Sequence, residues 1–400
     1  MSDSAIPEPS TAGAPDVVID CEEPVQYINS FRVSSAGTWL LSVTSRGLDG
    51  IHRVYVRRSS DRGRSWSPRI PAYDAHAELG EDYNCEMGQI VEEGGRLYQF
   101  HIKRRLSNSV RFGKLVYSVS EDDGRSWHGP DGANTVFPVE APIYDIAGHE
   151  WGWHLMAPPF RTSDGTVILP MNCCTDPPLL DDIECEPVYA HVHGLGSRDP
   201  GAVELEFFPP PPHGLHVPYH ARPGKSHGME AQVTELSDGR LFSVIRTANG
   251  VVSFTLSCDS GRTWSDPQPL RRDDGGEPIL NPNCPNPLTR LSGGRYAVLH
   301  CNNDGNAFGA SSVFAHTIVR HPIYVSVGRE NRAGADQPIT WSEPRLMTTL
   351  DGYEVRFGAP MGGDLTYGLL HEEGDRYFHF YNARWESIQM NEIPAGFFTA

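Results

Sequence analysis

The sequence predicts an all-β protein, a single six-bladed β-propeller with four-stranded antiparallel blades, and three observations lead to this fold class. Glycine (40) and proline (33) together approach a fifth of the 400 residues, which favours many short elements joined by turns. No long amphipathic helix is evident in the hydrophobic pattern. A motif of the form SxDxGxS/TW recurs along the chain, and such self-similarity is typical of proteins assembled from repeated structural units.

The motif has three clear copies and one degenerate copy. The clear copies are SSDRGRSW at 59–66, SEDDGRSW at 120–127 and SCDSGRTW at 257–264, and the degenerate copy is ITWSEP at 339–344. In such a turn the Asp side chain can accept from backbone amides two residues on, Gly supplies the position of positive φ, and Trp packs against the blade. We therefore interpret Asp61, Asp122 and Asp259 as structural residues.

The spacing of the motif sets the number of blades. Its tryptophans stand at positions 66, 127, 264 and 341, so the gaps are 61, 137 and 77 residues. The longest gap corresponds to two units, with one motif lost within the irregular stretch 173–220. A unit of roughly 65 residues gives six blades of four strands. We expect residues 1–16 to be a disordered leader and residues 17–400 to form one propeller.

Composition excludes several classes of function. Acidic residues outnumber basic ones by 51 to 33, which disfavours a nucleic-acid or anionic-membrane binder. No apolar run approaches a membrane span, and the N-terminus lacks the basic and apolar regions of a signal peptide, so we expect a cytoplasmic protein. The eight cysteines form no CxxC pair and are expected to be reduced. No metal-binding or phosphate-binding spacing is present, so we expect neither a metal nor a cofactor. The oligomeric state cannot be derived from the sequence.

The repeated motif resembles the Asp-box of the sialidase superfamily, and the resemblance covers nearly the whole chain. Residues 229–241 read MEAQVTELSDGRL, similar to the segment in which sialidases carry the glutamate that partners the nucleophile; Glu230 matches it. Arg246 follows 16 residues later, where sialidases have an arginine that binds the substrate carboxylate. Arg320, before the run HPIYVSV, matches another arginine of that triad. The run LTYGLL at 365–370 resembles the strand with their nucleophilic tyrosine, which implies this role for Tyr367.

The resemblance also implies two further acidic residues. Asp49 lies in the loop SRGLDG at 45–50, where the family has its acid/base aspartate. Glu86, in CEMGQIV at 85–91, falls where sialidases keep an aspartate on the pocket floor. Cys284 stands at a commonly Cys-bearing position, which supports the alignment and suggests no chemistry.

The first arginine of the triad is where the sequence departs from the family. Sialidases begin with a Phe/Tyr-Arg-Ile-Pro strand, and FRVS at 31–34 imitates it, which makes Arg32 a candidate for lining the pocket. The turn at 35–37 comes too early for this alignment, however, and counting back from Gly37 places Tyr27 at the position of the arginine. Without that arginine, the ligand need not be an ordinary sialic acid.

The run HEWGWH at 149–154 adds polar and aromatic groups to the predicted edge of the pocket in the third blade. His149, Trp151 and His154 are therefore candidate substrate-binding residues. Tryptophan faces stack on sugar rings, although a hydrophobic plug between blades is an equally good interpretation for this pair of tryptophans.

These residues favour a retaining exo-glycosidase that acts on a glycan carrying an acidic sugar. A neutral Tyr367, deprotonated by Glu230, avoids the repulsion between the sugar carboxylate and an anionic nucleophile. Arg246 and Arg320 would hold that carboxylate, and Asp49, with a raised pKa, would protonate the leaving oxygen.

Two other functions stay open, as do purely structural roles. One is a polysaccharide lyase acting on a uronate, with His149, His154 or His227 as the base; the other is a non-catalytic glycan-binding propeller. The structural interpretations make the acidic candidates solvated side chains, the arginines partners in ion pairs between blades, and the tyrosine a core residue.

Overall fold

The computed structural model describes residues 15–80, 83–105, 113–142, 144, 151–175, 183–306, 319–331, 337–350 and 365–398. Within these ranges the chain forms 28 strands in six antiparallel sheets, one five-residue helix and a short 3-10 helix, so the predicted six-bladed β-propeller is confirmed. The predicted disordered leader lies almost entirely outside the described residues. No helix in the described ranges has the length and apolarity needed to cross a bilayer.

The blades follow one another along the chain after the first strand, β1 (Val17–Asp20). The first blade contains β2 (Val25–Val33), β3 (Trp39–Arg46), β4 (His52–Ser59) and β5 (Ile70–Tyr73), followed by helix α1 (Ala75–Leu79). The second contains β6 (Tyr83–Glu93), β7 (Arg96–Arg105), β8 (Lys114–Ser120), β9 (His128–Gly129), β10 (Gly132–Ala133) and β11 (Phe137–Pro138). The third contains β12 (Trp151–His154), β13 (Phe160–Arg161), β14 (Val167–Thr175), β15 (Cys185–His193) and β16 (Glu204–Phe208).

The second half of the ring has the same plan. The fourth blade contains β17 (Gly228–Glu235), β18 (Leu241–Thr247), β19 (Ser253–Ser257) and β20 (Gln268–Pro269). The fifth contains β21 (Leu288–Leu291), β22 (Arg295–His300), β23 (Ile323–Glu330), β24 (Ile339–Trp341) and β25 (Arg345–Thr348). The sixth contains β26 (Leu365–Glu373), β27 (Arg376–Ala383) and β28 (Ser387–Ile393), and the 3-10 helix Ala395–Phe398 follows.

The first strand of the chain closes the ring. β1 pairs antiparallel with β28, with Val17 opposite Met390, and so supplies the outer strand of the sixth blade. This pairing joins the two ends of the described chain within one sheet. The closure removes an edge that would otherwise be left unpaired.

The hydrophobic core is divided into six main clusters, and each cluster lies between two neighbouring blades. Between the sixth and first blades, for example, Trp39 packs edge-on against Phe378 at a centroid distance of 4.9 Å. Because both faces of the fourth blade are covered by a neighbour, its first two strands, β17 and β18, are buried along their whole length. The stability of each blade therefore depends on the blades at its sides.

The repeated turns join the third and fourth strands of the first, second and fourth blades. In the first copy the Asp61 carboxylate accepts from the backbone N–H of Ser65 at 2.9 Å and from the hydroxyl of Ser59 at 2.8 Å. Asp122 and Asp259 have the equivalent partners. In the third blade, residues 194–203 join β15 to β16 without the motif, inside the stretch where the sequence predicted its loss.

Candidate functional site

The inner strands of neighbouring blades begin at one end of the propeller, which we call the pocket face. The hairpins that follow these strands lie at the opposite end. Near the starts of β2 and β26, the rings of Tyr27 and Tyr367 meet edge to face, with centroids 4.9 Å apart. The third strand of each of these blades runs in the same direction as the first, so the turns that contain Asp61, Asp122 and Asp259 also lie away from the pocket face.

Bulges interrupt the regular strand pairing near the starts of three inner strands. The pairing register shifts around Met87 in β6, Glu230 in β17 and Tyr367 in β26. These residues have φ values of 66°, 50° and 53°, in the left-handed region that non-glycine residues rarely adopt. Such strain costs about 1–3 kcal/mol per residue and is typical of functional sites. The backbone conformation of Glu230 and Tyr367 is therefore a second reason, besides their side-chain chemistry, to consider them candidate site residues.

Glu230 and Arg246 form a buried ion pair. Arg246 lies in β18 opposite Met229, and its Nη1 donates to Glu230 Oε1 at 2.7 Å. The side chain of Arg246 is 7% exposed and that of Glu230 is 1% exposed. The backbone N–H of Glu230 donates to Asn172 Oδ1 at 2.8 Å, which fixes the bulge to the third blade. Among the described residues, no group donates to Glu230 Oε2, so this oxygen remains available as a proton acceptor.

The second arginine reaches the same place from the fifth blade. Arg320 is buried and lies three residues before Ile323, the first residue of β23. Its Nε donates to the backbone oxygen of Asn283 at 2.9 Å, while the Nε of Arg246 donates to the side-chain oxygen of the same asparagine at 2.6 Å. The two guanidinium groups therefore share one residue as their acceptor.

The charges of this cluster influence the pKa of Tyr367. Burial first, and then the charge of Glu230, raises the pKa of its phenol to about 12, while Arg246 and Arg320 act in the opposite direction. The phenol is therefore protonated at neutral pH. It can act as a nucleophile only when a base takes its proton, and Glu230 is the carboxylate that influences it most.

Glu86 is a second buried carboxylate on the pocket face. Its Oε1 lies 2.6 Å from His52 Nδ1 and 2.8 Å from Arg104 Nη2. Burial alone would raise the pKa of Glu86, but the charges of His52 and Arg104 outweigh it and hold the pKa at about 2. The carboxylate is therefore ionised at any pH near neutrality. It is suited to fix polar partners rather than to transfer protons.

Two buried histidines border the cluster. His154 Nε2 lies 3.9 Å from Glu230 Oε1, and burial lowers the pKa of His154 to about 4 against the opposing charge of Glu230. Burial, followed by the charge of Arg246, lowers the pKa of His227 to about 4. Both rings are therefore neutral at pH 7.

The structure places Asp49 on the pocket face, in the loop between β3 and β4, but in a different electrostatic state from the one predicted. Its oxygens accept from Arg53 Nη2 at 2.8 Å and Nη1 at 3.1 Å, and half of its side chain is exposed. These bonds lower the pKa of Asp49 to about 2. The prediction of a raised pKa is therefore wrong for the free protein, because a neighbouring cation was not apparent from the sequence.

Arg32 does not reach the pocket face. It lies next to the last residue of β2, and its Nε is 3.5 Å from Glu92 Oε2, at the end of β6. Five residues of extended strand separate it from Tyr27, or about 16 Å. The prediction that Arg32 lines the pocket is therefore wrong. The turn at Gly37, with φ of 79°, sets the register, so Tyr27 occupies the position beside Tyr367.

The run 149–154 is only partly described. His149 and the side chain of Trp151 lie outside the described residues, so their predicted roles stay predictions. Trp153 is buried and stacks on Phe207 at a centroid distance of 5.4 Å, which makes it a core residue of the third blade.

Sequence reasoning missed His52, Arg104, Asn172 and Asn283. The last had a local signal, the unusual run NPNCPNP at 281–287, whereas the others are assembled by contacts between blades. No group of three or more potential metal-ligating residues was found in the described part of the chain.

Solved sialidases share this fold at low sequence identity. The Hadza microbial sialidase Hz136 superposes with a TM-score of 0.61 and 16% identity over 92% of this chain, which spans 65% of that protein's length. The NanB sialidase from Streptococcus pneumoniae gives 0.59 and 14% over 96% of this chain and 71% of its own. The intramolecular trans-sialidase from Ruminococcus gnavus gives 0.61 and 12% over 96% and 97%. No family model and no curated protein sequence matches the chain.

Proposed function

We propose that the protein is a retaining exo-glycosidase that removes a terminal acidic sugar from a glycan. The observation that carries the proposal is the convergence of Tyr367, Glu230, Arg246 and Arg320 on one point of the pocket face. A phenol, a carboxylate acceptor and two cations meet there, and the first two are held on strained bulges. The solved sialidases and trans-sialidases of the same fold are consistent with a sialylated carbohydrate as substrate.

In the first step, Tyr367 attacks the anomeric carbon while Glu230 takes the phenolic proton. Oε2 of Glu230 is suited to this task, because Oε1 is already bound to Arg246. The charge of Glu230 raises the pKa of Arg246 against the effect of burial, so the arginine stays charged beside the carboxylate. A phenol carries no charge toward the sugar carboxylate, which a carboxylate nucleophile would repel.

Asp49 is the proposed acid for the leaving oxygen and, in the second step, the base for the attacking water. Two displacements at the same carbon give net retention of configuration. To act as an acid, Asp49 must lose the bonds from Arg53 and take up a proton. Its exposed position makes this feasible, since ion pairs at the surface are worth little, and a bound glycan would exclude water from the carboxylate.

Arg246 and Arg320 are the proposed receptors of the sugar carboxylate. Both are buried and close to Tyr367, so an acid on the anomeric carbon would meet them when the phenol attacks. The protein as a whole carries a net charge of -18, so attraction of an anionic sugar depends on these local charges.

The proposal is tested by replacing Tyr367 with Phe. We expect Tyr367→Phe to keep the fold and ligand binding but to lose at least about 10³-fold in kcat on a sialylated or uronate-containing glycan, because the nucleophile is gone, equivalent to about 4 kcal/mol of barrier. Glu230→Gln should lose activity similarly. Tyr189→Phe is the matched control, since Tyr189 is a buried tyrosine of the third blade whose hydroxyl bonds Ser243. A substrate analogue with fluorine beside the anomeric carbon should label Tyr367 covalently.

Full turnover by Tyr367→Phe would exclude the retaining mechanism. A lyase acting on a uronate is then the second candidate, and the neutral, buried His154 and His227 beside Arg246 are the observation that favours it. Its product would carry a conjugated double bond that absorbs in the ultraviolet. Replacement of each histidine by Gln would identify the base.

A further inference from the structure

Asn283 contacts both arginines of the cluster. Its side-chain oxygen accepts from Arg246 Nε at 2.6 Å, and its backbone oxygen accepts from Arg320 Nε at 2.9 Å. The residue is 2% exposed. Arg246 belongs to the fourth blade and Arg320 to the fifth, so this one residue ties together guanidinium groups from two blades.

The loop that carries Asn283 is itself held in place. Residues 281–287 read NPNCPNP and lead into β21, and prolines at 282, 285 and 287 fix φ at three of these seven positions. Asn281 Nδ2 donates to the backbone oxygen of Cys284 at 2.8 Å, and Asn281 Oδ1 accepts from the backbone N–H of Cys301 at 2.9 Å. The acceptors of Asn283 are therefore presented by a stiff segment anchored to the fifth blade.

The bonds to Asn283 determine which donors are left for a ligand. Arg246 uses Nε on Asn283 and Nη1 on Glu230, while Arg320 uses Nε on Asn283. Among the described residues, none accepts from either Nη of Arg320 or from Nη2 of Arg246. A planar guanidinium has five donors in a rigid arrangement, so fixing Nε also fixes the direction in which the remaining donors point.

We propose that Asn283 is a positioning residue that sets the mutual orientation of the two guanidinium groups and thereby the affinity for the carboxylate of the sugar. This inference rests on the proposed function, in which the two arginines bind an acidic sugar. Asn283 itself takes no part in the proton transfers of Tyr367, Glu230 and Asp49. Its loss should weaken recognition of the acid while leaving the chemical step largely intact.

The test compares three variants of the full chain. Asn283→Ala removes the side-chain acceptor of Arg246, and Asn283→Asp keeps the shape but adds a negative charge against the guanidinium group of Arg246. Asn286→Ala is the matched control, because Asn286 is equally buried in the same loop and bonds the backbone oxygen of Leu299 at 3.4 Å instead of an arginine. The probes are N-acetylneuraminic acid, D-glucuronic acid and the methyl ester of each, with binding measured by calorimetry.

We expect Asn283→Ala and Asn283→Asp to bind the acidic probe at least about tenfold more weakly than the wild type, since a hydrogen bond to a charged group is lost or a competing carboxylate is added. Affinity for the methyl ester should change less than about twofold, and on a cleaved substrate KM should rise while kcat stays within about threefold. Asn286→Ala should behave like the wild type. Equal losses for acid and ester in the Asn283 variants, or equal behaviour of Asn283→Ala and Asn286→Ala, overturn the inference.

Crystal structures of the ligand-free variants separate this inference from the proposed function. Asn283→Ala should show a displaced guanidinium group of Arg246, while Arg320, held by the backbone oxygen of residue 283, stays in place. Asn283→Asp and Asn286→Ala should leave both guanidinium groups where they are. An unmoved Arg246 in Asn283→Ala overturns the positioning role, even if the wild type is an active glycosidase. A wild type that binds none of the acidic probes instead overturns the proposed function.

Discussion

Two carboxylates on the pocket face are paired with cations in different surroundings. Glu86 is buried with His52 and Arg104, and these charges hold its pKa at about 2 although burial alone would raise it. Asp49 is half exposed and accepts from the guanidinium group of Arg53 and from the backbone N–H of Ile51. A buried pair cannot open without leaving a charge unpaired, whereas an exposed pair opens at little cost. The structure therefore favours Asp49 over Glu86 as the group whose protonation changes during a reaction.

Removal of Arg53 should shift the pH dependence of the proposed reaction. The bonds from Arg53 are the main cause of the lowered pKa of Asp49, so in Arg53→Met this pKa should rise. Because the acid must be protonated in the free enzyme, the basic limb of the kcat/KM profile should move to higher pH. Arg58→Met is the control, since Arg58 lies in the same strand but pairs with Asp123. If the basic limb stays in place in Arg53→Met, Asp49 is not the acid.

How far single residues could be predicted depended on whether their signal was local. The positions of Tyr367, Glu230 and Arg246 near the pocket face follow from short segments that resemble a known family. Arg32 was misplaced because FRVS imitates a motif, while the register depends on the turn at Gly37. The partners of Asp49 and Glu86 could not be predicted, because a single sequence does not indicate the direction of a side chain or which residues of other strands an arginine contacts.

At the scale of elements, neighbouring blades are joined by a repeated contact between serine and glutamate. The backbone N–H and hydroxyl of a serine beside or within a hairpin donate to the two oxygens of one glutamate in the next blade. This arrangement is found in the pairs Ser35–Glu92, Ser163–Glu235, Ser237–Glu330 and Ser292–Glu372. Each glutamate satisfies two donors that the packing of blades would otherwise remove from water.

Loss of one such contact should destabilise the protein without affecting the pocket face. In the third and fourth blades, Ser163 donates to Glu235 at 2.8 Å from its backbone and 2.7 Å from its hydroxyl. We expect Glu235→Ala to lower the free energy of unfolding by about 1.5–3 kcal/mol, as is usual for hydrogen bonds to a charged group. Glu204→Ala, at an exposed position of β16, should change it by less than about 0.5 kcal/mol.

A double-mutant cycle identifies the cause of that loss. If Ser163→Ala and Glu235→Ala remove the same interaction, the double variant should be less destabilised than the sum of the two single variants. Strict additivity in chemical denaturation would show that the two residues act separately. These contacts were not predicted, since the serines and glutamates lie in ordinary hairpin sequences. They come into contact only when neighbouring blades pack against each other.

At the scale of the whole molecule, the ring is stabilised by its six interblade clusters and closed by β1. The number of blades could be predicted because the repeated turns count them. The closure of the ring by β1 could not be predicted, because the pattern of a four-residue outer strand does not indicate which strand it pairs with. The same tight packing between blades buries polar side chains along with the apolar ones, and several of them are histidines.

We expect these histidines to make the protein sensitive to mild acid. Burial lowers the pKa from 6.5 to about 3 or 4 for a set of six, His101, His154, His227, His300, His371 and His379. Between pH 6.5 and about 4 the unfolded chain binds protons at these rings and the folded chain does not, so the free energy of unfolding falls as the pH falls. Each ring contributes a slope of up to about 1.4 kcal/mol per pH unit, and three of them would remove about 10 kcal/mol over this window.

Urea unfolding at pH 7.5, 6.5, 5.5, 4.5 and 3.5 measures this loss, and the pH range of the decline distinguishes the histidines from the carboxylates. Glu86 has a lowered pKa, so its contribution is present above about pH 4.5 and disappears only as the pH falls from there toward 2. A decline that begins near pH 6.5 therefore belongs to the histidines, and one that begins below pH 4.5 belongs to Glu86 and similar acids. Constant stability from pH 7.5 to 5 would contradict the neutral state of the six rings. That outcome would also contradict the conclusion that His154 and His227 are neutral beside the two arginines.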